Sequence, residues 1–227
     1  MKPATRTEAR SAAFGYICRC CTRCCRNHDV AINPYETARL ARNLGQTIAQ
    51  FRAMWTRDGA GTMLKQTETG DCVFLSGERC SVYADRPLVC RIFPLARNVS
   101  ADGTEHFLPI EGEPPPGGEF TGRGTISDFL EKHGAVAFAE AADDYYRWLC
   151  AALNSPAGQT ADLQVDPAET AALAANLLDM DSAVAAYCAA TGEPEPTDIE
   201  ERKQRHLAFL YQKLDEYPAN GKGVHHG

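Results

Sequence analysis

Apolar residues recur at helical spacing in several parts of the chain. After Asn33 and Pro34, Leu40 and Leu44 fall on one face, and Gly45 ends the pattern. An N-capping residue followed by proline marks the first turn of a helix, and glycine commonly follows the last turn. The predicted helices cover residues 33–44, 47–55, 125–133 and 135–153, and two more begin at residues 166 and 197.

Between the second and third of these helices, the pattern changes to short extended segments. Turn sequences around Gly70, Gly77 and Gly103 separate these segments, which is typical of small hairpins. Pro87 and Pro94 restrict the helix between them to about one turn. The predicted extended segments are residues 62–67, 72–75, 80–83, 95–99 and 105–110, and residues 111–124 are predicted to form a Pro/Gly-rich surface loop. The expected fold is mainly α with small irregular β hairpins, an α+β fold.

The composition is that of a globular protein. Hydrophobic residues make up 44% of the 227 residues, and no apolar run reaches the roughly 18 residues of a membrane span. The first 17 residues lack a sustained apolar run, so no secretory signal is expected. We therefore expect a cytoplasmic protein without membrane association, whose thiols stay reduced.

Charge is distributed unevenly along the chain. Residues 1–100 contain fifteen Lys and Arg against eight Asp and Glu, whereas residues 101–227 contain eight against twenty-two. Three interpretations are that the two halves attract each other, that the acidic half is a solvated surface, or that the basic half is a face for an acidic partner or nucleic acid. No nucleic-acid motif accompanies the basic residues, and the acidic half would repel phosphates. Nucleic acid is therefore not expected as a partner, and the expected partner is an unidentified protein or small molecule.

Cysteines are the most informative residues in the sequence. Five of the ten lie within eight residues, and adjacent side chains such as Cys24 and Cys25 are expected to point apart, so core packing does not account for this density. Thiolates bind zinc tetrahedrally and are the usual ligands of iron–sulfur clusters. A helix would scatter consecutive thiols around its axis, so the run is expected on a loop that turns several of them inward. The clustered cysteines are Cys18, Cys20, Cys21, Cys24 and Cys25, followed by Cys72, Cys80 and Cys90.

Several questions about these thiols stay open. An even number of cysteines also allows disulfides, although the adjacent pairs and the missing signal peptide favour metal. Four thiols suffice for one tetrahedral ion or one four-iron cluster, and eight, with Cys20 included, would suffice for two zinc ions. His28 and His106 are possible nitrogen ligands, whereas Cys150 and Cys188 are predicted to be small buried hydrophobes.

Arg86 and Arg91 flank Cys90 and are the main candidates for function outside the cysteines. They either hold the Pro87–Pro94 segment by bonding carbonyls or carboxylates, or bind an anionic group of a cofactor or substrate.

Three motifs in order resemble the YkgJ-type cysteine-cluster proteins with the CxxCxxCC signature. The motifs are Tyr16-x-Cys18-x2-Cys21-x2-Cys24-Cys25, then Cys72-Val73-Phe74-Leu75 with Cys80-Ser81-Val82-Tyr83, then Arg86-Pro87-x2-Cys90-Arg91-x-Phe93-Pro94. In that family glycine usually follows the second cysteine, where this chain has Thr22, and Cys20 is an additional thiol. The resemblance implies a zinc- or iron-chelating domain, with a [4Fe-4S] cluster as one form of the iron. The metal ligands that it implies are Cys18, Cys21, Cys24, Cys25, Cys72, Cys80 and Cys90.

We predict three parts along the chain. A cysteine-cluster metal-chelating domain covers residues 1–153, a linker covers residues 154–165, and a helical C-terminal extension covers residues 166–227.

Three functions are compatible with this sequence. The first is a metal-chelating protein whose site is structural or serves partner recognition. The second is an iron–sulfur enzyme, either an oxidoreductase or an S-adenosylmethionine-dependent protein lysine methyltransferase, because the resembling family includes flagellin lysine-N-methylases. The third is a thiol-based metal store or redox sensor. No catalytic residue is predicted, so the sequence leaves open whether the protein is an enzyme.

Overall fold

The computed structural model describes residues 8–59, 61–100, 102–110, 117–154 and 177–216. The helices in these ranges are α1 Pro34–Asn43, α2 Ile48–Trp55, α3 Leu88–Ile92, α4 Ile126–Lys132, α5 Val136–Asn154, α6 Met180–Thr191 and α7 Ile199–Glu216. The strands are β1 Tyr16–Ile17, β2 Thr56–Gly59, β3 Gly61–Leu64, β4 Leu75–Ser76, β5 Arg79–Cys80, β6 Leu95–Val99, β7 Glu105–Pro109 and β8 Glu119–Phe120.

The strands form small antiparallel pairs rather than one sheet. In the described ranges, β2 pairs with β3, β4 with β5 and β6 with β7, each as a local hairpin, and β1 pairs with β8 across about a hundred residues. The predicted α+β class with small hairpins is confirmed.

Helix starts follow the capping signals of the sequence. Asn33 Oδ1 accepts from the backbone N–H of Glu36 at 3.0 Å, and the Glu36 carboxylate accepts from the Asn33 N–H at 2.9 Å. Thr125 and Asp128 form the same reciprocal pair at the start of α4. Each pair satisfies two N–H groups that the first helical turn leaves without partners.

Three segments differ from their predictions. In the predicted extended segment 72–75, residues 73 and 74 form a turn and only Leu75 belongs to β4. Cys80 belongs to β5, but the chain then enters a 3-10 turn at Tyr83–Asp85 instead of staying extended. The predicted surface loop includes β8, whose pairing with β1 needs a partner about a hundred residues earlier. Local turn composition does not reveal such a pairing.

The chain divides into two compact units, one formed by Met1–Ile32 with Phe51–Ala139 and the other by Asn33–Gln50 with Glu140–Gly227. Of the predicted linker, residues 155–165 lie outside the described residues, as does the predicted helix start at residue 166. The predicted domain division therefore stays a prediction.

The first unit has a hydrophobic cluster beside the β6–β7 hairpin and α4. The Phe14 and Phe129 rings meet edge to face, with centroids 4.9 Å apart. Leu95, Phe107 and Leu130 are at most 1% exposed, so the hairpin and the helix are fixed against one another by burial. The cluster consists of Phe14, Tyr16, Ile92, Leu95, Phe107, Ile126, Phe129, Leu130 and Ala135.

The second unit packs α1 with α6 and α7. Tyr35, Met180 and Leu210 are fully buried there. Across the described ranges, no helix is long and apolar enough to cross a membrane.

Candidate metal centre

The cysteine run folds as an irregular turn, as the sequence predicts. Residues 18–22 have no regular structure, and Arg23–Cys25 form a single 3-10 turn. Thr22 has a φ of 60°, in the left-handed region that glycine adopts at least cost. Its hydroxyl donates to the Cys21 carbonyl at 2.7 Å and accepts from Arg26 Nε at 3.2 Å. This conformation explains why the resembling family usually has glycine here.

Backbone hydrogen bonds join the second cysteine segment to the first. The Cys72 N–H donates to the Cys25 carbonyl at 2.7 Å, and the Asn27 N–H donates to the Gly70 carbonyl at 2.8 Å. The β4–β5 hairpin then places Cys80 opposite Leu75. Cysteines almost fifty residues apart in sequence are thereby brought together.

One cavity of about 90 Å³ gathers most of the predicted ligands. Phe74, Val82 and Tyr16 also lie along its wall and are largely buried, whereas Cys18 is exposed and the other thiols are half-buried. Six of the seven predicted ligands line it, namely Cys18, Cys24, Cys25, Cys72, Cys80 and Cys90.

Cys21, the seventh predicted ligand, lies outside this cavity. It lines a larger outer groove of about 490 Å³ together with the exposed Cys20. The groove shares Cys18, Cys24, Cys25 and Cys80 with the inner cavity. The predicted ligand set is therefore divided between two adjoining spaces.

The remaining cysteines and the two predicted histidines lie elsewhere. Cys188 is buried, as predicted, whereas Cys150 is only half-buried. His28 and His106 are absent from the walls of both the cavity and the groove.

The sulfurs of Cys24 and Cys25 are 3.8 Å apart, so the expectation that these side chains point apart is wrong. The 3-10 turn is the reason, because both side chains reach the same cavity from it. Four sulfurs around zinc, each about 2.3 Å from the metal, are separated by about 3.8 Å along each edge of the tetrahedron. This pair has the spacing of one such edge. In the described ranges, no three Cys, His, Asp or Glu side chains are already arranged to hold an ion, and this includes the cysteines of the cavity.

Hydrogen bonding and burial set the acidity of the thiols. The hydrogen bond from Cys25 lowers the pKa of Cys24 to about 7, and the positive charge of Arg86 acts in the same direction. The same hydrogen bond, together with burial, raises the pKa of Cys25. Burial likewise raises the pKa of Cys72 and Cys80. A cation entering the cavity would thus have to displace protons from most of these thiols.

Arg91 is 7% exposed and holds the cavity wall together. Its Nε donates to the Arg86 carbonyl at 2.9 Å and its Nη1 to the His133 carbonyl at 3.1 Å, while Nη2 donates to the Ala84 carbonyl. The guanidinium also lies 3.8 Å from the centre of the Phe138 ring. These contacts match the first of the two roles considered for Arg91, and a direct role in cofactor binding stays a prediction.

Arg86 brings a positive charge to the cavity. Its Nη1 donates to the Tyr83 carbonyl at 2.8 Å, and its guanidinium lies 4.0 Å from the centre of the Tyr83 ring. The charge lowers the pKa of Cys24 and opposes the effect of burial on Cys80. Arg86 is thus placed to balance the negative charge that accumulates when thiolates gather.

Comparison with known proteins agrees with this geometry. Residues 17–109 match the family model named CxxCxxCC, whose description reads "Putative zinc- or iron-chelating domain". We call residues 17–109, which match this model, the CxxCxxCC domain. The YkgJ-type resemblance found in the sequence fits this family, and the family description supports metal chelation without choosing between zinc and iron. No curated protein and no solved structure matches the chain.

The CxxCxxCC domain contains all seven predicted ligands, but parts of the cavity and its surroundings lie beyond it. The backbone N–H of Gly118 donates to the Tyr16 hydroxyl at 2.9 Å. A Cβ atom at Gly118 would lie 2.3 Å from Tyr16 Cζ, and one at Gly117 would lie 2.6 Å from Cys21 Cβ. Only glycine permits this approach. The adjacent glycines were visible in the sequence, but their partners were not.

His133 is a second residue of the site that sequence reasoning missed. It follows α4 and lines the inner cavity with the six cysteines. A lone histidine at a helix end, more than forty residues after Cys90, has no local signal that links it to the thiols.

Proposed function

We propose that the protein chelates a metal through thiolates of its CxxCxxCC domain, and that the metal has a structural or partner-recognition role. The main support is that six predicted ligands from three separate segments line one small cavity. Thiols do not need to converge in this way for core packing, but a soft cation requires it. The proposed ligands come from Cys18, Cys21, Cys24, Cys25, Cys72, Cys80 and Cys90.

A single tetrahedral ion, with zinc first, agrees best with the sulfur spacing. The Cys24 and Cys25 sulfurs already have the separation of one edge of a zinc–thiolate tetrahedron. In a four-iron cluster each thiolate binds a different iron, which favours ligands more widely spaced than this pair. A bound ion would join the Cys18–Cys25 turn to the segments of Cys72, Cys80 and Cys90.

The proposal is tested by purifying the full chain anaerobically from cells supplied with zinc and iron. Elemental analysis and an absorption spectrum are then taken from the same sample. We expect a colourless protein with one zinc ion per chain. A protein that retains neither metal overturns the proposal, and a brown protein absorbing near 400 nm with about four irons redirects it to an iron–sulfur centre.

A matched pair of variants assigns the metal to the cavity. Cys24→Ser removes one of the two sulfurs at tetrahedral spacing and is expected to lower metal content at least severalfold. Cys150→Ser changes a thiol that lines neither the cavity nor the groove, and should leave metal content unchanged. Equal metal contents in the two variants would show that the metal is not bound in the cavity.

An iron–sulfur enzyme is the second candidate function, and the outer groove favours it. The groove is open, has about 490 Å³ of space and shares four cysteines with the inner cavity, so a small molecule would fit beside the metal. If iron is found, titration with S-adenosylmethionine followed by calorimetry separates the two enzyme classes. Binding supports a methyl-transfer enzyme, and its absence leaves the oxidoreductase.

A further inference from the structure

His133 lines the cysteine cavity and has a buried ring nitrogen. Its imidazole is part of the wall of the cysteine cavity, and its Nε2 is buried without a hydrogen bond to any residue that the structure describes. A buried polar atom without a partner costs about 1–3 kcal/mol, and native proteins rarely leave one unsatisfied. A partner for this nitrogen is therefore to be sought inside the cavity.

The fold holds His133 firmly in this position. The imidazole stacks on the Phe129 ring with centroids 4.4 Å apart. Its backbone carbonyl accepts from Arg91 Nη1 at 3.1 Å, and Arg91 is the neighbour of Cys90 in α3. Gly134 ends the segment with a φ of 60°. The position of the histidine relative to Cys90 is thereby fixed through a single arginine.

The ring nitrogens of His133 are donors of a kind that zinc accepts beside thiolates. A neutral imidazole has one ring nitrogen with a free lone pair, which is the form that binds metals. His133 and the six thiols along the same cavity supply the donor types of a mixed cysteine–histidine zinc site, and in the described ranges no three of them are yet close enough to hold an ion.

We propose that Nε2 of His133 is a ligand of the metal in the cysteine cavity, which then has a mixed thiolate and imidazole donor set. This inference rests on the proposed metal-chelating function and adds a ligand beyond the CxxCxxCC domain. The bound metal would also give a partner to the His133 nitrogen, which has none among the described residues.

The test is X-ray absorption at the zinc or iron edge of the anaerobically purified full chain. For zinc, we expect sulfur at about 2.3 Å and one nitrogen at about 2.0–2.1 Å. His133→Cys should replace the nitrogen by sulfur at unchanged metal content, a change that a water molecule cannot imitate. His28→Cys, at a histidine outside the cavity, is the control and should leave the nitrogen in place.

A second variant separates ligation from packing. His133→Phe keeps a ring to stack on Phe129 but has no nitrogen, and should lower the affinity for the metal at least tenfold without unfolding the α4 region. Circular dichroism of the metal-free variant reports on folding.

This inference is overturned if the metal of the unmodified protein has only sulfur ligands, or if the nitrogen persists in His133→Cys. Either result leaves the proposed function intact. A protein that retains no metal overturns both.

Discussion

Two residues of the cysteine turn adopt backbone conformations that residues with a Cβ atom rarely adopt. Cys20 and Thr22 both have positive φ values, 51° and 60°, which cost a residue with a Cβ roughly 1–2 kcal/mol. Thr22 recovers part of this cost through the two hydrogen bonds of its hydroxyl. Opposite the turn, Gly118 permits a close approach to Tyr16 that any larger residue would prevent.

Gly118→Ala is expected to destabilise the protein by about 1–3 kcal/mol, because the new Cβ would overlap Tyr16 Cζ at 2.3 Å and the Ile17 carbonyl at 2.4 Å. Both partners belong to β1, directly before Cys18, so metal content should fall as well. Denaturant unfolding and elemental analysis measure the two effects.

The control is Gly77→Ala. Its Cβ would meet no atom within 4 Å, although the residue has a positive φ of 60°. Some loss of stability is expected there, but no loss of metal. If Gly118→Ala retained a full complement of metal, the close packing of β1 against residues 117–118 would not be required for the site.

His206 makes stability depend on pH in the second unit. Its Nε2 lies 2.8 Å from the Leu177 carbonyl, which only accepts, so Nε2 has the proton and Nδ1 accepts from the Tyr145 hydroxyl at 2.8 Å. Burial lowers the pKa of His206 to about 4 from its ordinary 6.5. The stabilisation is therefore fully present above pH 6.5 and is lost as the pH falls from 6.5 to 4. The loss over this window is about 3 kcal/mol.

Urea unfolding at several pH values measures this effect. Trp148 is a suitable probe, because its indole N–H donates to the Leu210 carbonyl at 3.2 Å within the same unit, and Trp55→Phe removes the other tryptophan signal. His206→Gln should flatten the profile between pH 6.5 and 4, whereas His28→Gln, at an exposed position, should not. Identical profiles for all three proteins would contradict the assignment.

At the scale of elements, the short helix α3 connects the cysteine segments to α4. Pro87 and Pro94 confine it to five residues, Leu88–Ile92, with Cys90 at its centre. A helix this short has little stability of its own, so its position depends on tertiary contacts. Arg91 provides them by donating to carbonyls before α3 and after α4.

Arg91→Lys is expected to lower the free energy of unfolding by about 2–3 kcal/mol, because one ammonium nitrogen cannot reach three carbonyls that are placed for the separate nitrogens of a guanidinium. Metal content should fall together with stability, since Cys90 and His133 both depend on this arginine for position. Thermal unfolding and elemental analysis test the two effects.

Arg79→Lys is the control for charge and size at an exposed position on β5 and should behave like the unmodified protein. If Arg91→Lys kept its metal and its stability but lost an activity, a direct role in substrate or cofactor binding would replace the positioning role.

At the scale of the whole molecule, the first unit contains two regions that are stabilised differently. The β6–β7 hairpin and α4 share a buried hydrophobic cluster. The cysteine turn instead depends on a few backbone hydrogen bonds, such as the one from Cys72 to Cys25, and has no buried residue in its 3-10 turn. We infer that metal binding contributes most of the stability of the cysteine turn.

Removal of the metal by a chelator under reducing conditions is expected to abolish amide exchange protection in residues 18–26 and 70–82. A structural zinc contributes roughly 10–16 kcal/mol in small domains, and local hydrogen bonds alone would not replace it. The β6–β7 hairpin should keep its protection because Leu95 and Phe107 stay buried.

Hydrogen exchange with mass spectrometry measures both regions in one experiment, and added zinc should restore the first. Unchanged protection around the cysteines after complete metal removal would show that the metal is not structural.

The sequence by itself determined the features that depend on near neighbours. Asn33 with Glu36 and Thr125 with Asp128 fix helix starts within three residues. Pro87 and Pro94 limit α3 to about one turn, and the turn glycines predict the hairpins. The cysteine spacing alone indicated metal chelation, because thiolates are ligands of soft cations in any fold.

Only the tertiary structure decided which groups meet in the cavity. The Cys24 and Cys25 sulfurs converge because their turn is 3-10, a conformation that the pattern does not specify. His133, Gly118 and the carbonyl partners of Arg91 reach the site through contacts that span up to about a hundred residues. Such partners are set by how the whole chain packs, since burial and close approach are properties of the folded molecule rather than of any short segment.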